Sequence, residues 1–156
     1  METFSKIKNS SWKLIFAGGD ATSAKLTKLS KELGLSNRIE FLGKVSQIDK
    51  IYARASIFVI SSRSEGFPNA LCEAMAAGLP CVSFDFIAGP RDIITDGYDG
   101  IIVENNNIEL LANKIDFLIE NKEERERLGK NALGIRDRLN ANKIGDEYLN
   151  FILDNN

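Results

Sequence analysis

The sequence predicts an α/β domain in which a parallel sheet carries helices on both faces. Two observations predict it: short apolar runs without polar alternation recur along the chain, and each is followed by turn residues and then a segment of helical periodicity. Alternation of this kind makes a parallel sheet with right-handed crossovers. At 156 residues, 44% hydrophobic and 27% charged, the chain suits one soluble domain over residues 1–156 with a core of its own.

The elements follow in order. Phe4 and Ile7 have helical spacing and read as the tail of a helix. Lys13 to Ala17 is a strand, Gly18-Gly19-Asp20 is a turn at its carboxyl end, and Leu26, Leu29 and Leu33 form a helical stripe closed by Gly34. Ile39 to Leu42 is the next strand. Gly43 turns the chain, and Ser46 with Asp49 suggests a capping box for a helix holding Ile48, Ile51, Tyr52 and Ala55. Ile57 to Ile60 reads as a strand buried on both faces. A polar loop with Gly66 follows, then an alanine-rich helix beginning near Pro68 and stopped by Gly78 and Pro80, with Ala70, Ala74, Met75 and Ala77 set close to the sheet. Cys81 to Phe84 is a fourth strand, followed by a loop over Asp85 to Pro90. Gly97 to Gly100 is turn chemistry before a short fifth strand, Ile101 to Val103. Asn107 caps a helix with Leu110, Leu111, Ile115, Leu118 and Ile119 inward. Glu123 to Leu139 reads as one charged helix, and Ile144, Tyr148, Phe151 and Ile152 suggest a last one.

Bulk chemistry removes several function classes. A net charge of −2 supplies no basic field for nucleic acid. Without histidine no Ser-His or Cys-His catalyst can form, and a metal would need carboxylates or the separated thiols of Cys72 and Cys81, which read as core groups. The first residues lack the apolar stretch of a signal peptide, and no run reaches the roughly 20 apolar residues of a membrane span, so the expected location is cytoplasmic.

Chemistry concentrates between the third strand and its helix. Glu65 lies in the loop and Glu73 on the first turns of the helix, at the carboxyl edge where open α/β sheets bind ligands. A carboxylate accepts hydrogen bonds only, and two of them suit the vicinal hydroxyls of ribose or hexose. The free N–H groups near Pro68 and Asn69 would attract a diphosphate, so together they suggest a sugar nucleotide. The alternative is a solvated loop glutamate and a first-turn glutamate that complements the helix dipole. Gly66 serves either a positive φ, close backbone approach to a ligand, or a plain turn. Gly18 and Leu42 close two other strand ends as turn residues or ligand edges. Arg91 either reaches the crevice or pairs on the surface.

Ser62 to Pro68 and Glu73 to Pro80, with Phe16 to Asp20, Phe41 to Val45, Gly89 to Ile94 and Gly97 to Val103, resemble the donor-binding half of the family 4 (group 1) retaining glycosyltransferases of GT-B fold. The resemblance implies a Rossmann-like donor domain, N-terminally truncated relative to the full one: its first strand, a basic loop and the acceptor domain are not matched. It implies hexose transfer from an NDP-sugar, a UDP-sugar first, to a glycan or lipid-linked acceptor in polysaccharide biosynthesis, without cofactor or bound metal. Glu65 becomes the candidate catalytic residue at the transferred sugar, and Glu73 the ribose ligand. Amides at Gly66, Phe67 and Asn69, beside Pro68, would face sugar and phosphate, and Gly18 and Leu42 complete the donor site. The acceptor would come through a missing domain or a partner chain, the location could be peripheral to the inner membrane face, and the chain alone would be nearly inactive. The unmatched central strand leads to the expectation that Lys13–Ala17 closes against Ile57–Ser61, or that the chain associates. A non-catalytic α/β binding module or truncated remnant is the alternative function, and another GT-B activity such as sugar-nucleotide epimerisation a further one.

Overall fold

Among the described residues five parallel strands alternate with helices, yet they form two sheets. The computed structural model describes residues 1–19, 23–87 and 89–154. In it β1 (Leu14–Ala17) pairs with β2 (Ile39–Gly43), while β3 (Phe58–Ile60), β4 (Cys81–Phe84) and β5 (Ile101–Val103) form a second sheet in that order. Every pairing is parallel, with Phe16 opposite Phe41 in the first sheet and Val82 between Val59 and Ile101 in the second. The connections are α2 (Ala24–Glu32), α3 (Ile48–Arg54), α4 (Asn69–Ala76) and α5 (Pro90–Ile93), and α1 (Glu2–Ser5) precedes β1. Asp20, in the expected first turn, and Ala88, in the loop after β4, lie outside the described residues.

The core centres on β4, all four residues of which are buried. Against it pack Leu71, Ala74 and Met75 from α4, and Leu111, Ile115, Leu118 and Ile119 from α6 (Ile108–Glu120). As the sequence predicts, Asn107 caps α6: its Oδ1 accepts from the Leu110 N–H at 3.0 Å.

The expected closure of β1 on β3 is not made. The segment ahead of β1 is anchored elsewhere, with Phe4 and Ile7 buried and α1 packed on α6. The Lys8 N–H donates to Asp116 Oδ1 on α6 at 3.2 Å, and Lys6 pairs with Glu109 at 2.6 Å. Arg38, just before β2, donates to the carbonyls of Asn9 and Trp12 and lies 4.5 Å over the Phe4 ring. Moving β1 sideways would break these contacts. In a doubly wound sheet of order 3-2-1-4-5-6 the winding reverses beside the first strand; here β1 and β3 do not pair, and the strands divide into two sheets. Phe58 and Val59 are therefore half-buried, not covered on both faces as their apolar run suggests.

Three further expectations change. No capping box forms from Ser46 and Asp49: Gln47 occupies the cap of α3 without a side-chain bond. The charged helix breaks into α7 (Lys122–Ala132) and α8 (Ile135–Arg138) around Leu133-Gly134. Glycine disfavours helix continuation, and Arg136 donating to the Ala76 carbonyl at 2.8 Å draws α8 back onto the end of α4. In α4, Ala74 and Met75 are buried but Ala70 and Ala77 are exposed. The last helix, α9 (Ala141–Asp154), forms as expected, with Ile144, Tyr148, Phe151 and Ile152 exposed.

Candidate functional site

Parallel strands bring their carboxyl ends to one edge, and the loop after β3 is the most elaborate one there. Pro68 is buried under the loop that follows β4; a Cβ on Gly89 would stand 2.9 Å from the Pro68 ring, so the close approach requires glycine. Ser64 also bridges to Ile87. With its base fixed, the loop projects Glu65, Gly66 and Phe67 outward, and all three are exposed. The Ser62 hydroxyl donates to Glu65 Oε1 at 2.6 Å. Gly66 is not among the glycines of positive φ, which removes that role, and the space around it is open.

Glu73 stands on the second turn of α4. Leu71, Ala74 and Met75 turn to the core, which leaves Asn69, Ala70 and Glu73 on the exposed face. The helix starts after Pro68 without a side-chain cap. The Asn69 N–H, which the resemblance would turn toward a ligand, donates to the Phe67 carbonyl at 2.9 Å in this structure. Among the described residues no backbone bond takes the amides of Gly66 or Phe67.

The group that the sequence reading misses is Tyr52. It comes from α3, its ring is buried, and its hydroxyl donates to Glu73 Oε2 at 3.1 Å. Burial, followed by the bond to Glu73 and its charge, raises the phenol's pKa, so it stays a donor. A tyrosine amid Ile48, Ile51 and Ala55 could have signalled this, since a buried hydroxyl needs a partner.

Gly18 and Leu42 also reach this edge. The Gly18 N–H donates to the Gly43 carbonyl at 2.8 Å, holding the ends of β1 and β2 together, with φ of 136° and 64° at the two glycines. Leu42 lines an open recess of about 350 Å³ with Lys44, Val45, Gln47, Lys50 and Ile51. Ile51 and Tyr52 are neighbours on α3, so one helix joins this recess to Glu73.

Other candidates resolve structurally. Arg91 forms a forked pair with Asp85 at 2.6–2.9 Å, the surface alternative. This pair lines a recess of about 520 Å³ with Asp96, Glu104 and Asn105, but Asp96 and Glu104 already accept from the Ile102 N–H and the Asn107 amide. Cys72 and Cys81 are free thiols whose pKa values burial raises, as suits core groups. Among the described residues no group of three or more acidic or thiol side chains could hold a metal, and no helix is long and apolar enough to cross a membrane.

Comparisons with known proteins converge. The family described as glycosyl transferases group 1 matches residues 1–134. An exopolysaccharide phosphotransferase of Streptomyces coelicolor is 38% identical over 109 residues, 69% of this chain and 12% of its own. The N,N'-diacetylbacillosaminyl-diphospho-undecaprenol alpha-1,3-N-acetylgalactosaminyltransferase of Campylobacter jejuni is 34% identical over 114 residues, 73% of this chain and 30% of its own. Among solved structures, a mutant of S. aureus TarM in complex with fondaparinux, alpha-GlcNAc-glycerol and UDP superposes with a TM-score of 0.86 at 27% identity, covering 96% of this chain and 30% of that one. The chain thus spans under a third of the length of each.

Proposed function

The chain belongs to the group 1 glycosyl transferases, and on that premise we propose that it binds the nucleotide-sugar donor for retaining transfer of a hexose to a glycan or lipid-linked acceptor. The acceptor is held by a further domain or a partner chain. The observation that carries this reading is a pair of exposed carboxylates at the carboxyl edge of the sheets, Glu65 and Glu73, each held by one hydroxyl, from Ser62 and Tyr52. Such a carboxylate has one oxygen engaged and the other ready to accept from a sugar hydroxyl.

The roles are those that the family resemblance implies, carried onto these positions. Glu65, in the loop, takes hydroxyls of the transferred sugar and is the proposed catalytic residue. Glu73, nearer α3, takes the ribose diol. The amides of Gly66 and Phe67 face sugar and phosphate, where the uncapped start of α4 favours negative charge. Gly18 and Leu42 border the nucleobase, for which the recess beside Leu42 offers apolar and basic walls. UDP is the favoured nucleotide because the TarM relative is in complex with it. No resident metal or cofactor takes part in this reading. The proposed setting is cytoplasmic, at the inner membrane face where the acceptor is lipid-linked.

Titration calorimetry of the chain with UDP-glucose tests the reading. Glu73→Ala should weaken binding by roughly 10- to 100-fold, the value of hydrogen bonds to a charged group; unchanged affinity would overturn it. One observation favours a non-catalytic binding module instead: β3, which leads into the proposed site, does not pair with β1, and the strands divide into two sheets. Binding that never leads to transfer when an acceptor domain is supplied would favour that alternative.

A further inference from the structure

We propose that Tyr52 is a positioning residue for Glu73: its hydroxyl holds one carboxylate oxygen so that the other is presented to the ribose diol of a nucleotide. This rests on the donor-binding reading and adds to it a group that touches no ligand itself.

Glu73 is an exposed side chain and has no ionic partner among the described residues. A free glutamate of this kind samples many rotamers, and a ligand that needs one of them must supply the ordering entropy. Tyr52 removes much of that freedom. Its own ring cannot wander, because it is only 9% exposed and meets the Phe58 ring edge-on, with centroids 6.2 Å apart and planes at 71°. The hydroxyl therefore emerges at a fixed point between α3 and α4, 3.1 Å from Glu73 Oε2 and 3.4 Å from the Ala70 carbonyl.

The direction of the bond is settled by chemistry. An ionised carboxylate only accepts, so the phenol donates. The neutral phenol is the form that can do so, and both burial and the adjacent Glu73 charge keep it neutral. Oε2 is thus occupied, while Oε1 remains for an incoming hydroxyl. A buried ring, edge-on to the half-buried Phe58, thus holds one exposed carboxylate in a fixed orientation. That is what preorganised recognition needs.

Tyr52→Phe keeps the ring and deletes only the donor. Binding of UDP and of 2′,3′-dideoxy-UDP to the full chain would be measured for wild type, Tyr52→Phe, Glu73→Gln and the double variant, together with thermal midpoints. The expected result is a loss of about 2- to 10-fold for UDP in Tyr52→Phe, the cost of ordering one freed side chain on binding. The dideoxy analogue should bind Tyr52→Phe and wild type alike, and the double variant should be no worse than Glu73→Gln. Equal losses for UDP and the dideoxy analogue with a lowered midpoint would make Tyr52 merely structural and overturn the proposal. So would wild-type affinity for UDP in Tyr52→Phe. If the wild-type chain binds neither nucleotide, the donor reading falls and this proposal falls with it.

Discussion

β1 and β4 are each four residues long and almost wholly apolar, yet β4 is completely buried and no residue of β1 is. The difference lies in their neighbours. β4 has β3 and β5 on its edges and α4, α6 and α7 on its faces; β1 has β2 on one edge and, among the described residues, no strand on the other. A strand's own apolarity therefore does not fix its burial. The stabilising area of this molecule is concentrated in the three-stranded half, and the two-stranded half is held by edge contacts such as the Phe16–Phe41 stack and the Arg38 bonds to the chain before β1.

The largest expected effect comes from truncating one side chain in each half. Leu71 is fully buried between α4 and the core, so Leu71→Ala should cost about 2–5 kcal/mol in urea unfolding. Phe16 is half-buried and loses chiefly its stack on Phe41, so Phe16→Ala should cost about 1–2 kcal/mol. Equal losses would show the two halves to be one cooperative core.

A smaller contrast comes from glycine. A Cβ at Gly129 would run into the Gly78 carbonyl oxygen, where α7 crosses the end of α4. Gly129→Ala should therefore destabilise by about 1–3 kcal/mol, the cost of overpacking. Gly19, after β1, has open space around it and no positive φ. Gly19→Ala should be neutral or stabilise by about 0.4–1 kcal/mol through the unfolded chain. Thermal midpoints of both variants check this; a loss at Gly19 would mean that the two-stranded half is packed more closely than its burial indicates.

What was legible in the sequence was local. The apolar run of Cys81 to Phe84, the cap at Asn107, the stripe inside α6 and the stop at Gly78 each rest on neighbours within a few residues, and each is found. The two glutamates were legible as residues at a strand-loop-helix junction. Their partners were not equally so: Ser62 lies three residues from Glu65, but Tyr52 lies 21 from Glu73, and no pattern within one helix reports which element its hydroxyl meets. The unmatched central strand was legible, but the same limit defeated the expected closure of Lys13–Ala17 on Ile57–Ser61, because strand pairing is decided by contacts of long sequence separation. It also hid the break at Gly134, where Arg136 is bound by a carbonyl 60 residues away.

The smallest effect is the sharpest probe of the two halves, because it compares the same device in each. Asn107 caps α6 at 3.0 Å beside the buried core, and Ser23 caps α2 with a longer bond of 3.4 Å to the Leu26 N–H. Asn107→Ala should cost about 1 kcal/mol of global stability, the usual value of a cap. The Ser23 bond sits at the outer limit of useful geometry, so Ser23→Ala should cost only about 0.5 kcal/mol. The two losses should also appear in different places. α2 is exposed or half-buried along most of its length, so it can open without the core, and its fraying would raise amide hydrogen exchange within α2 while the urea midpoint stayed nearly constant. α6 cannot open without exposing Leu111 and Leu118, so loss of the Asn107 cap should lower protection across α6 and β4 together. If Ser23→Ala accelerated exchange in β4 as much as in α2, the halves would open as one unit, and the contrast in burial would carry no contrast in stability.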